Sequence, residues 1–234
     1  MRARWKACLP LASLVLAAMG SGCHRRVGEP DDAAELMRPQ EVLSFDRLYN
    51  QNCSACHGVD GSGGPALDLA NPTYQVLIDD QSLERSITAG IPGTQMPAFG
   101  ESSGGFLTPA QVHALATGMR QRWSAAGADH NMPSYLAAST GVVDRGEQVY
   151  QHRCLSCHQG RKQTISDPAY LALMNDQSLR TIVIAGRPDL GHPDWKHGAS
   201  GPLMEQDVSD IVAYLHSLRS DTPGQPYPDR SVTR

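Results

Sequence analysis

Phe45, Leu48 and Tyr49 fall on one side of a helical wheel and predict an amphipathic helix starting near Glu41 or Ser44. Gly146-Glu147-Gln148-Val149-Tyr150 forms a similar segment in the second half of the chain. Thr108-Pro109 opens another helix that runs to about Trp123, with a capping Thr followed by Pro in the first turn, the favoured order. A last helix is predicted over Glu205 to Leu218.

These elements belong to an internal repeat. Asn71-Pro72-Thr73-Tyr74 matches Asp167-Pro168-Ala169-Tyr170, and Asp80-Gln81-Ser82-Leu83 matches Asp176-Gln177-Ser178-Leu179. Ile87-Thr88-Ala89-Gly90 matches Val183-Ile184-Ala185-Gly186. In each copy Asp-Gln-Ser-Leu predicts a helix start, with Ser or Asp as the cap and the Ala-Gly pair near the end.

Between the first helix of each copy and these matches lies the same chemical motif. Cys53-Ser54-Ala55-Cys56-His57 recurs as Cys154-Leu155-Ser156-Cys157-His158. A bare Cys-x-x-Cys could be a redox dithiol or half a zinc site. With His immediately after, it is the attachment signature of a c-type haem: two thiols for the vinyl groups and a proximal ligand for iron. Two haems are predicted. Tyr49 and Tyr150 each precede the first haem cysteine by the same interval.

A chain of 234 residues accommodates two domains of about 80 residues, a size at which a protein core alone is marginal. A covalently held porphyrin supplies the missing apolar centre, which suits an aromatic content of 6%. The remaining cysteines are Cys8 and Cys23, so no pair is left for a structural disulfide. Arg2, Arg4 and Lys6, then an apolar run from Ala7 to Met19, read as an export signal over residues 1–22. Gly20-Ser21-Gly22 before Cys23 resembles a bacterial lipobox, with Gly20 where that pattern prefers Leu. Lipidation at Cys23 and ordinary signal cleavage are the two alternatives. Removing residues 1–22 takes away three positive charges and no negative ones, shifting the formal charge from −4 to −7. That is no footprint for nucleic acid. Residues 23–41, polar and carrying Pro30 and Pro39, read as a tether, 126–141 as a linker, and 221–234 as a disordered or strapped tail.

The order helix, Cys-x-x-Cys-His, helix, ligand loop, C-terminal helix resembles class I cytochrome c domains in tandem, over 42–125 and 142–220. The resemblance implies an all-α fold in which each set of helices wraps one covalently bound haem. Gly64-Pro65-Ala66-Leu67 is similar to the family loop whose Pro carbonyl accepts a hydrogen bond from the proximal His, a role carried here to Pro65 opposite His57. Gly93-Thr94-Gln95-Met96-Pro97-Ala98-Phe99 resembles the loop that delivers the distal ligand, which implies His57/Met96 coordination. The alternative for Met96 is a flexible core residue; Met119, mid-helix, reads as core.

The second copy departs from the pattern. Its Gly-Pro-x-Leu loop falls in a gap after His158, and the position aligned with Met96 is His192. The reading is His158/His192 coordination, with Met204, His197 or an open site as alternatives. His24, His113, His130, His152 and His216 have no His partner in the repeat and read as surface or packing residues.

Together these imply a periplasmic dihaem electron-transfer protein, tied to the membrane by its lipid, relaying single electrons between a membrane donor and an acceptor such as a terminal oxidase. A subunit of a quinol-oxidising complex shares this chemistry. The rival class is a dihaem enzyme, a peroxidase or a dehydrogenase of small sulfur compounds, with an open or displaceable position at the second haem.

Overall fold

A computed structural model describes residues 37–123, 129, 131–159, 165–198 and 200–221. The export signal, Cys23, most of the tether, part of the linker and the tail beyond residue 221 lie outside the described residues. Among the described residues the fold is helical, with isolated bridges at Gly100–Leu107 and Arg187–His192 in place of a sheet.

The first copy contributes α1 (Phe45–Asn52), the single turn α2 (Ser54–His57), α3 (Pro72–Leu77), α4 (Asp80–Ala89) and α5 (Pro109–Trp123). The second contributes α6 (Val143–Arg153), the turn α7 (Leu155–His158), α8 (Pro168–Leu171), α9 (Asp176–Ala185) and α10 (Glu205–Ser217). Local chemistry sets the ends. The Ser44 hydroxyl caps α1 by accepting from the Arg47 amide. Thr108 and Gln111 form a reciprocal cap at the start of α5, each side chain bonding the other's amide.

The caps of α4 and α9 are Asp79 and Asn175, one residue ahead of the repeated Asp-Gln-Ser-Leu. Asn71 and Asp167 cap α3 and α8. Position by position across the repeat, Asn faces Asp twice, in opposite senses. The structure gives the reason. Asn71 Nδ2 donates to the Ala185 carbonyl at 2.8 Å and Asn175 Nδ2 to the Pro92 carbonyl at 2.8 Å, each reaching into the other copy. Either residue can accept at a cap, but only Asn can also donate.

In the first copy α1 packs on α5, and Phe45, Tyr49 and Trp123 form an aromatic group with centroids 5.2–5.7 Å apart. In the second, α6 crosses α10, and buried Asp210 on α10 accepts from the Val142 amide at 2.7 Å, supplying from a distant helix the cap that Val142 cannot give α6. Buried Arg180 grips the linker, donating to the Ser134 and Tyr135 carbonyls and to Glu205 at 2.6 Å.

Both copies fall in one compact unit running from Val42. Leu77 of the first copy joins Ile184, Trp195 and Val208 of the second in a shared core, with Met132 and Tyr135 of the linker against it. The two halves therefore pack on each other, rather than standing apart on the linker.

Candidate haem centres

Cys53 is the cap residue between α1 and α2, and Cys56 lies one turn on, a spacing that sets the two thiols on the same side of the turn as neighbours of His57. Burial pushes the Cys53 thiol up to about 12, with Cys56 adding to it, and the Cys154 thiol up to about 11. A redox dithiol needs the reverse, a thiol lowered towards neutrality. Nor is any group of three or more His, Cys, Asp or Glu among the described residues arranged to hold a bare metal ion.

His57 Nδ1 bonds the carbonyl of Leu67 at 2.7 Å. This corrects the reading of Pro65 as the acceptor: the loop is the expected one, but the carbonyl that meets the imidazole comes two residues later. The Ala66 amide donates to the Cys56 carbonyl at 2.9 Å and holds the loop on the haem turn, leaving Leu67 to face the ring. With Nδ1 engaged, Nε2 is the nitrogen left to ligate. Burial lowers the pKa of His57, keeping it the neutral imidazole that iron requires.

The two ligand loops are built alike. Gly90 and Gly186 end α4 and α9 with φ of +68° and +71°. A side chain at Gly90 would run into the backbone of Met96 and Pro97, and one at Gly186 into that of Pro193. Each loop is closed by an amide donating to the carbonyl of its candidate ligand, Ile91 to Met96 at 3.1 Å and Arg187 to His192 at 3.0 Å. Met96 and His192 thus occupy the same place in the fold as well as in the repeat. Met96 is half-buried.

In the second copy the structure brings the proposed pair together. The imidazoles of His158 and His192 lie 6.0 Å apart, centroid to centroid. Two metal–imidazole bonds of about 2 Å, with half a ring on either side, fill that separation. His192 Nδ1 is buried without a hydrogen-bond partner, as a nitrogen awaiting a metal would be. Burial first, then His158, lowers its pKa and keeps it neutral. The alternatives fare worse. Met204 stands 68% exposed at the start of α10, and His197 is an exposed side chain bonded through Nδ1 to Asp194 at 2.7 Å. Of the other histidines, His113 and His216 bond Glu84 and Asp176 at the surface, while Met119 is core.

Sequence reasoning missed Arg187. Its side chain, 10% exposed, is forked onto Asp189 at 2.9 and 2.7 Å and donates through Nη2 to the Gly64 carbonyl of the first copy at 2.9 Å. Asp68 is buried nearby with one oxygen unpartnered; burial, then Asp189, pushes its carboxyl up. The repeat carried a signal: Arg187 stands opposite Ile91, an ion where the other copy has an aliphatic side chain.

Paired thiols, an adjoining His and an opposed ligand loop, twice over, are the parts of a cytochrome c. A family profile described as "Cytochrome C oxidase, cbb3-type, subunit III" matches residues 40–117, and one described as "Cytochrome c" matches residues 143–219. The chain carries two tandem cytochrome c domains, and each takes one covalently bound c-type haem.

Among curated relatives, the chain is 26% identical over 193 residues to "Cbb3-type cytochrome c oxidase subunit CcoP" of Azospirillum sp. (strain B510), covering 75% of this chain and 56% of that protein. It is 24% identical over 191 residues to "Cbb3-type cytochrome c oxidase subunit FixP" of Sinorhizobium medicae (strain WSM419), covering 73% and 58%. The chain thus spans little more than half the length of these relatives. A solved structure of the Kuenenia stuttgartiensis reducing HAO-like protein complex aligns over 75% of this chain and 96% of its own, at 16% identity and TM-score 0.45, a likeness too slight to bear on function.

Proposed function

We propose that this protein is a dihaem electron carrier of a respiratory chain, passing single electrons from a membrane-associated donor towards a terminal oxidase of the cbb3 type. The haem groups supply one-electron chemistry, Fe(III) to Fe(II) and back. The chain's part is to hold each iron between two side chains. His57, oriented by the Leu67 carbonyl, and Met96 serve the first; His158 and His192 serve the second. Cys53, Cys56, Cys154 and Cys157 fix the porphyrins. Met as a ligand raises the reduction potential, so the second site is the lower of the two and electrons run from it to the first.

The observation that carries this reading is the His158–His192 pair, 6.0 Å apart with a buried, unpartnered Nδ1. A site filled on both sides has no position for substrate, which favours a carrier over an enzyme. Near-infrared magnetic circular dichroism of the oxidised protein tests it. One His/Met and one His/His signal are expected, the latter becoming His/Met in His192→Met. A high-spin second haem, or an unchanged signal in the variant, overturns the assignment, and peroxide or thiosulfate turnover by purified protein would replace the carrier with an enzyme.

The export signal and the lipobox-like sequence before Cys23 support a periplasmic protein anchored by lipid at that residue. Among the described residues no helix is long and apolar enough to cross a membrane. Fatty-acid labelling that disappears in Cys23→Ser, with release from membranes, is the expected result. Co-purification with oxidase subunits would distinguish a resident subunit from a diffusing donor.

A further inference from the structure

We propose that Arg187 couples the two haem sites, joining the loop that orients His57 to the loop that carries His192 and setting one positive charge between them. The inference rests on the reading of His57 and His192 as iron ligands.

The link is continuous. His57 Nδ1 meets the Leu67 carbonyl at 2.7 Å, and three residues earlier in the same turn the Gly64 carbonyl takes the Arg187 guanidinium at 2.9 Å. The Arg187 backbone is bonded to that of His192 in both directions, at 3.0 and 2.9 Å. From one imidazole to the other, the path is a run of hydrogen bonds and short covalent stretches.

The ligand loop does not need Arg187 in order to close. In the first copy Ile91 makes the equivalent backbone bond to Met96 with an aliphatic side chain. A buried guanidinium is costly to desolvate, and here it is retained with a forked carboxylate and a carbonyl of the other domain to satisfy it. Its guanidinium also stands beside both sites, hydrogen-bonded to the loop that orients His57 and carried on the loop of His192. A cation so placed favours the less positive, ferrous state of an iron bound to the two imidazoles.

The step served is the passage of one electron from a ferrous to a ferric site. One iron is oxidised as the other is reduced, and no bond or proton changes hands.

The test uses the full holoprotein with Arg187→Gln and Asp189→Asn, titrated redox potentials resolved by haem, and the rate of interhaem transfer after flash photoreduction. Removing the cation is expected to make both irons harder to reduce, by about tenfold in Fe(II)/Fe(III) ratio or ~59 mV, and to slow interhaem transfer severalfold. Removing the carboxylate, which leaves the cation unneutralised, is expected to shift both potentials upward. If Arg187→Gln fails to fold, the Asp189→Asn titration decides alone. Unmoved potentials, or a shift at the His192 site only, overturn the proposal, since Arg187 would then serve its own loop. Wild-type magnetic circular dichroism separates the two failures. Loss of the His/His signal there sinks the ligand reading and this inference with it, whereas intact ligand signals with unmoved potentials sink this inference alone.

Discussion

Gly146 on α6 lies directly against the backbone carbonyl of Asp210 on α10, so close that a methyl group at Gly146 would overlap the oxygen. The two helices cross at this point. Ala is the better helix former by about 1 kcal/mol, but overpacking against backbone costs about 3 kcal/mol, so Gly146→Ala is expected to lose about 2 kcal/mol. Gly118→Ala on α5 meets the root of the Phe45 side chain, its Cβ and Cγ as well as the ring, which cannot swing clear without moving α1, and should likewise lose about 2 kcal/mol. Denaturant titration of the two variants checks both losses.

Asn71→Asp keeps the cap on α3 while removing the donor to Ala185 and burying a carboxylate beside a carbonyl. Asn71 is 2% exposed, and the loss is expected at about 3 kcal/mol. Asp167→Asn, at the exposed equivalent in the other copy, should change stability by less than about 0.5 kcal/mol, because Asn and Asp cap equally well. Thermal melts of both variants check the contrast.

Glu205 accepts from the Ser134 and Ala138 amides and from Arg180. Burial pushes this carboxyl up, but the Ala138 amide, Arg180 and the Ser134 amide together hold it below its ordinary value of 4.5. A lowered carboxyl contributes stability that is complete above pH 4.5 and is lost as pH falls through the folded-state value. Glu205→Gln is therefore expected to cost about 2 kcal/mol at pH 7, with the gap to wild type closing in acid. Urea midpoints measured from pH 7 down to pH 3 test the sign.

Met96→His, which gives the first ligand loop the residue of the second, is expected to lower the potential of the first haem by roughly 0.2 V, within the ~0.8 V that axial ligands span. Spectroelectrochemistry with both haems resolved reads it. A shift at the second haem instead would show that the ligands are wrongly paired.

The haem turns, the ligand loops and the order of helices are legible in the sequence because each depends on residues close together in the chain. The equivalence of Met96 and His192 emerges from repeat spacing alone, and the glycines that end α4 and α9 reproduce it in three dimensions. The acceptor for His57 was misplaced by two residues because a carbonyl has no sequence signature; which one faces the ring depends on how the turn seats on Cys56. The domain interface was illegible for another reason. It is made by residues that also have local duties, such as Asn71 and Asn175 as caps, so their second role leaves only an Asn-for-Asp difference between copies.

The core shared by Leu77, Ile184, Trp195 and Val208 bears on how the protein is made. Either half alone would present these side chains to water, a sticky flank on an already small domain. Synthesis runs from the first copy to the second, so the first must wait with Leu77 uncovered until the second arrives. Docking of the second half is therefore the step that covers the first, and a chain cut at the linker should be handled by the cell as unfinished.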